Sequence, residues 1–471
     1  MPKVITFDRF ELGIDLRKGR AVADANRLRD LKNGYVTPGW HIQKRPGITS
    51  VGDLTAGSKG LIGYNGKLAT FSAVSNPVHN TTDDGVDIDN YQLPYSANAS
   101  DDATDVHFAQ PFNNKLYVAM EYASGNTEHH YIDGVAPYHV TDVNCPHSKE
   151  VIKMQSKIYA VGYGTDTEVV GYSATDDPTD WTLTDDAGFL PVGIRAPGSA
   201  NPQGLGNFND QLVVFMDDAA QVWALDPDPT LNALTEVIGN LGCEYNNTIG
   251  SISGDLFFLS PVGFRSIALQ SMTDNLEDLD VGTPIDSLIT DDLLAGNTPL
   301  AIYYTGGGQY ICFIGTTAFV YSYSRTAKVS AWSYYELPFS VDAVAPLNNE
   351  LYLRSGDTLY KFDAEAYTDD GDSFEVLIEL PYQAFKKPSV LKHLVGCDLI
   401  TKGTGTIQHR YDSSDVSLIT TEIPFSGDTR PGPTYPVDLS VTEVAPVIKN
   451  HDDEDFAFYG ISYLFENLGV R

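Results

Sequence analysis

The sequence predicts an all-β fold: a β-propeller of seven blades, or alternatively six, with an N-terminal segment and a smaller C-terminal β-domain. Three observations lead there. A short phrase recurs seven times, its copies are spaced at the period of a propeller, and no long stretch carries a 3.6-residue apolar repeat. The 471 residues include 27 Tyr, 41 Gly and 26 Pro, which suits many short strands joined by tight turns.

The phrase is an apolar residue, a turn of Asn, Gly, Asp or Ser, one polar residue and then a run of β-formers. The copies begin at Tyr64, Phe112, Met154, Phe208, Ile252, Tyr304 and Leu347. Asn and Gly tolerate the positive φ of a two-residue hairpin turn, so each copy reads as strand, turn, strand. Measured from Lys67, Lys115, Lys157, Gln211, Asp255, Gln309 and Glu350, the steps run from 41 to 54 residues. A lone blade cannot bury both faces, so repeats of this length close around an axis.

In chain order, residues 1–50 form an N-terminal segment. Phe10, Leu12, Ile14 and Leu16 alternate with polar or small residues, which predicts a strand with one buried face. Arg17 to Arg20 read as a basic turn and Ala21 to Lys32 as a short helix or extended arm. Pro38-Gly39 predicts a type II turn between two strands. Arg45-Pro46-Gly47 leads into the first blade. Residues 51–370 are the propeller, in which Trp181 and Trp332 each follow a polar turn and are expected to pack between blades. Asp369-Asp370-Gly371-Asp372 is the boundary turn. Residues 371–471 break the period and read as a β-domain with strands at Phe374 to Leu380, His393 to Thr401, Thr406 to Tyr411, Ser417 to Ile423 and Phe456 to Phe465.

The net charge is −33 and uneven: residues 1–50 hold 10 Lys and Arg against 5 Asp and Glu. An acidic body lacks the Lys/Arg footprint of ordinary DNA binding. Cys145, Cys243, Cys312 and Cys397 are widely spaced, with no CxxC pair, and read as reduced, buried residues. The uncharged stretch Leu293 to Ser324 is broken by glycines into strand-length pieces, so no membrane span is expected.

No nucleophile motif and no phosphate-cradling loop is present, and the expectation is a protein that is not an enzyme and has no cofactor, metal or catalytic residue. His129-His130 would project to opposite faces of a strand. Asp83 to Asp89 has a calcium loop's composition without its ligand spacing. Two rival readings share the fold. A tail's glycan-degrading propeller would use paired carboxylates with Arg195, Arg265, Arg325 and Arg354 converging on a central pocket. A receptor-binding propeller would use Tyr and Trp at the blade tops.

Gly13, Asp15 and Leu16, the Asn33-Gly34 hairpin region, Arg45-Pro46-Gly47 ahead of the repeats, and the closing Gly460-Ile461-Ser462-Tyr463 strand together resemble the tail nozzle, or tail hub, proteins of short-tailed bacteriophages. The resemblance implies a structural protein of the virion tail, assembled in the host cytoplasm. It implies a homo-oligomeric ring, a hexamer, below the portal and adaptor proteins. Genomic DNA would be retained by that ring and ejected through it without sequence-specific binding. A tail fibre is a further partner the family allows. In that setting an acidic wall would keep DNA from adhering.

Arg17, Lys18, Arg20, Arg27 and Arg29 place five cations within thirteen positions of an acidic chain. They are the expected docking residues toward an acidic surface of the adaptor or of a neighbouring copy. The alternative is a solvated loop paired with the chain's own acids.

Overall fold

The computed structural model describes residues 2–73, 79–95, 97–98, 100–133, 136–183, 186–196, 201–268, 281–427 and 433–470. Among them, seven sheets form the blades of a β-propeller. Blade 1 spans 59–92, blade 2 spans 103–139, blade 3 spans 151–190 and blade 4 spans 202–239. Blade 5 spans 250–266, blade 6 spans 300–336 and blade 7 spans 343–363. The first strand of each blade lies beside the first strand of the next. The series runs from Lys59–Tyr64 to Ala343–Leu347, which returns against Lys59–Tyr64 and closes the ring.

Each recurring phrase is the hairpin between the first and second strands of one blade. Opposed pairs across the turns include Tyr64 with Lys67, Phe112 with Lys115 and Leu347 with Glu350. Both central residues take positive φ at Asn65-Gly66, Asn113-Asn114, Gln155-Ser156, Asn209-Asp210, Ser253-Gly254 and Asn348-Asn349. That is the conformation a two-residue hairpin needs to match the strands' twist. Blade 6 departs from the pattern: a longer loop, Thr305 to Gly308, joins its first two strands. The Tyr that opens two of the phrases also stitches neighbours together. Tyr64 Oη donates to Asn114 O of blade 2 at 2.6 Å, and Tyr304 Oη to Asn349 O of blade 7 at 2.7 Å.

The second strands are buried on both faces, so their apolar runs pack into the blades on either side. A buried apolar cluster fills each blade–blade interface. Trp181 and Trp332 do pack between blades. Trp181 is fully buried beside His129 of blade 2, and Trp332 stacks on Phe264 of blade 5 at 4.8 Å.

The outermost strand of blade 7 is Gly47–Asp53, from the start of the chain, paired antiparallel with Thr358–Asp363. Arg45-Pro46-Gly47 therefore leads into the last blade, not the first. Ring closure thus pairs strands from the two ends of the propeller's sequence.

The β-domain is a sandwich built from both ends of the chain. One sheet holds Gly34–Val36, Ile42–Lys44, Ala457–Val470, Val390–Lys402 and Tyr435–Val441, with Lys3–Phe7 also paired to Ala457–Val470. The other continues blade 6 outward. Asp30–Lys32 lies against Val329–Glu336 and is followed by Val376–Glu379, Ala445–Asn450, Thr404–Arg410 and Ile423–Ser426. The core between these sheets is continuous with the interface of blades 5 and 6.

Several local expectations change. Residues 10–16 are not a strand. Gly13 sits at φ +59° and interrupts the run, and single bridges join Gly13 to Trp332 and Ile14 to Leu28. Both faces are buried, which is why Glu11 and Asp15 are covered along with Phe10 and Ile14. Arg20–Val22 is one 3₁₀ turn and Asp30–Lys32 a strand, rather than a helix. In the Pro38-Gly39 turn the left-handed residue is Trp40, at φ +65°, and its indole donates to Ala327 O at 2.7 Å. Ser417 to Ile423 is irregular apart from a single bridge from Ile419 to Arg410, and the strand begins only at Ile423, while Tyr435–Val441 and Ala445–Asn450 are strands the apolar pattern conceals.

Candidate functional site

The basic loop is organised by one carboxylate. Asp15, its side chain 3% exposed, accepts hydrogen bonds from Arg17 N at 3.1 Å, Nε at 3.0 Å and Nη2 at 2.8 Å, and lies 3.5 Å from Arg27 Nε. Burial pushes the Asp15 carboxyl up, but the bonds to Arg17 and the charges of Arg17 and Arg27 outweigh it and hold it below its ordinary value. Arg27 turns inward and donates to Leu12 O at 2.9 Å. Arg29 donates to Lys18 O at 2.9 Å and Asp15 O at 3.3 Å, which fixes the loop's curvature.

Arg17, Lys18, Arg20 and Arg29 thus line one shallow groove of about 480 Å³ together with Leu16, Val22 and Ser413. Of the five expected docking residues, four share this surface and Arg27 does not. The loop also pairs with the chain's own acids, Arg17 with Asp15 and Lys18 with Asp24 at 2.7 Å. Exposed pairs of the latter kind contribute about 1 kcal/mol or less.

Arg45 marks the seam between sandwich and propeller. Its guanidinium is fully buried and makes a two-pronged pair with Asp369, at 2.7 and 2.5 Å. Nε donates to Asn33 Oδ1 at 3.1 Å, and the Nη atoms donate to Glu336 O and Pro46 O at 3.1 and 3.0 Å. The ring of Phe374 stacks on it at 3.7 Å and takes Lys44 Nζ at 4.5 Å. Gly47 is required here by space: a Cβ would lie 2.2 Å from Thr368 O. Gly13 is comparably constrained, since a Cβ would fall 2.6 Å from Trp332 N and O. Gly13→Ala is expected to cost about 2 kcal/mol or more, from left-handed strain plus displaced backbone. A thermal melt showing no loss would contradict that reading.

The other singled-out residues do not converge. His129 bonds Tyr117 Oη and Ser148 O, both at 2.8 Å, while His130 bonds Tyr122 Oη at 2.8 Å on the opposite face. Asp84, in the acidic loop, meets Lys361 at 3.1 Å and Tyr352 Oη at 3.1 Å, so it ties blade 1 to blade 7. Arg265 pairs with Asp286 at 3.0 Å, and Arg325 is exposed on a hairpin of blade 6. The side chain of Arg195 lies outside the described residues.

Of those arginines whose side chains are described, Arg354 alone lines the central cavity of about 890 Å³, with Lys59, Asp105, His107 and Asn297. Its Nη1 donates to Ser58 O at 3.2 Å, across the joint between blades 7 and 1. All four cysteines are free and buried, and burial raises their thiols, Cys243 and Cys397 to about 12. They are poor nucleophiles at neutral pH. Among the described residues no group of three or more His, Cys, Asp or Glu is arranged to hold a metal ion. No described helix is long and apolar enough to cross a membrane.

Sequence reasoning flagged both halves of the Arg45–Asp369 clasp, one as a lead-in and the other as a boundary turn, without joining them. It placed Phe374 only at the start of a strand and passed over Ser413, since neither stands in a motif.

No family model matches the chain, and no curated protein matches it. Among solved structures, it is similar to a chain of the mitotic checkpoint complex at 11% identity and a TM-score of 0.36, covering 77% of this chain and 94% of that one. It is similar to BamB from Moraxella catarrhalis at 13% identity and a TM-score of 0.37, covering 77% and 97%.

Proposed function

We propose that this chain is a structural subunit of a short-tailed bacteriophage tail, a nozzle or hub that assembles as a hexameric ring below the adaptor and portal. DNA would be held by the ring and ejected through it. The observation that carries the reading is the basic groove of Arg17, Lys18, Arg20 and Arg29, pre-shaped by buried Asp15 on a chain of net charge −33. Identical acidic bodies repel one another, so a positive patch in a fixed place gives a ring its registry and speeds encounter with an acidic partner. The motifs behind the family resemblance support the reading in a second way. Gly13, Asp15 and Arg45-Pro46-Gly47 all lie along the segment that fastens the sandwich to the propeller.

Reversing Lys18 and Arg20 to Glu is expected to abolish assembly onto tail-less particles at moderate salt while the propeller stays folded. Arg17 and Arg29 are kept because their bonds to the Asp15 carboxylate, Lys18 O and Asp15 O shape the loop. Unchanged assembly by the folded variant would remove the docking role.

A further inference from the structure

A second groove, on the face that carries the phrase hairpins, lies between blades 2 and 3 and encloses about 490 Å³. One wall is aromatic. Tyr131 and Tyr138 are directly opposed on neighbouring strands of blade 2. Tyr131 is 7% exposed and lies beneath Lys115 Nζ at 5.0 Å. Tyr138 is 56% exposed and makes no ring contact among the described residues. The other wall is the blade 3 turn at Asp176 and Asp177. Asp176 sits at φ +59° and accepts from Asn113 Nδ2 at 3.0 Å. Asp177 Oδ1 accepts from Thr179 N and Oγ1, at 2.9 and 2.7 Å. Asp133, 3.2 Å from Lys115, completes the rim.

We infer that this groove binds a neutral saccharide, with a sugar ring stacked on Tyr138 and its hydroxyls donating to Asp133, Asp176 and Asp177. The ligand class follows from what the walls would penalise. A wholly apolar ligand would strip water from three carboxylates and give no hydrogen bond in return. An anionic ligand would meet three carboxylates against the single cation of Lys115, on a strongly acidic chain. A pyranose offers an apolar C–H face to an exposed ring and, along its edge, hydroxyl donors that carboxylates accept strongly. The volume falls within the range of small-ligand sites and leaves room for a short oligosaccharide. This inference does not rest on the nozzle reading.

The test is calorimetry and saturation-transfer NMR on the full chain with maltotriose, chitotriose, mannotriose and lactose, and with sialyllactose as the anionic probe. At least one neutral sugar is expected to bind with Kd on the order of 1 mM or tighter. Tyr138→Ala should weaken that binding by about tenfold or more, and Tyr138→Phe, which keeps the ring, by no more than about threefold. Sialyllactose should bind more weakly than lactose. Failure of all four neutral sugars to bind, binding indifferent to Tyr138→Ala, or preference for sialyllactose would each overturn the inference. Tyr138 is an exposed position on the outer strand, so the variants are expected to melt with the parent.

Discussion

Replacing Arg45 by Met is expected to destabilise the protein by about 3–5 kcal/mol, the range measured when one partner of a buried ion pair is removed. The variant strands Asp369, which is 7% exposed and whose carboxylate bonds to Arg45. It also leaves Glu336 O, Pro46 O and the Asn33 side chain one donor short in a buried seam. Lysine should not rescue the site. Its point charge cannot form the two-pronged pair with Asp369 or stack flat on Phe374. The informative comparison is the double variant Arg45→Met with Asp369→Leu. Removing both charges eliminates the uncompensated carboxylate, so the double variant should be more stable than Arg45→Met alone. The measurement is urea unfolding followed by two probes, since the sandwich shares its core with the interface of blades 5 and 6 but not with the other blade interfaces, and one transition cannot be assumed. The parent is expected to unfold in one step and Arg45→Met in two, the sandwich letting go of the propeller first. A single, unshifted transition in Arg45→Met would show that the clasp is dispensable.

The same seam shows what a sequence can and cannot display. The hairpins were legible because each is local: in six of the seven, two residues with positive φ between β-formers specify a turn whatever else the chain does. Their even spacing then fixed the architecture. The N-terminal segment was not legible in the same way. Gly13, Arg45 and Gly47 stand out as residue types, but their reasons lie at Trp332, Asp369 and Thr368, some 320 positions away. The alternation of Phe10 to Leu16 misled for a related reason. A strand with one buried face and a segment buried on both faces can share an apolar pattern, and the difference lies in Glu11 and Asp15, which look solvent-facing until their partners appear. The basic cluster was visible as composition. That Arg27 turns inward while the other four face one groove depends on the Asp15 carboxylate, which carries no signal of its own.

Acidification from pH 7 to about 4 is expected to cost about 3 kcal/mol for each of His129 and His409. Burial drives both imidazoles down to about 4 from an ordinary value of 6.5. The sign follows from proton counting. Between these two values the unfolded chain binds a proton that the folded chain refuses, so stability rises with pH across that window. The contribution is fully present above 6.5 and is lost as pH falls toward 4. About 2.5 pH units at 1.36 kcal/mol each sets the size. His130 is also lowered by burial and adds in the same direction. Around His129, the carbonyl of Ser148 and the charge of Glu128 oppose the shift, while His139 and His147 reinforce it. His409 packs on Tyr463, and neither of its ring nitrogens has a hydrogen-bond partner among the described residues. Carboxylates such as Asp15, held below 3.8, give way only at still lower pH, whereas burial raises the carboxyls of Asp30, Glu150 and Glu379, whose protonation on acidification offsets part of the loss; the His129 and His409 variants separate the two. Protonating acids also relieves the self-repulsion of a chain at −33, which runs the same way as those raised carboxyls. Working at about 0.5 M salt screens that term and leaves the buried histidines, which salt reaches poorly. Urea midpoints at pH 7, 5.5 and 4.5 should therefore fall steadily in the parent. Tryptophan emission is a suitable probe because Trp181 lies 6.4 Å from the His129 ring. The variant His129→Gln with His409→Leu should show a flatter profile, whatever its stability at pH 7. Equal slopes in the parent and the double variant would place the acid sensitivity elsewhere in the molecule.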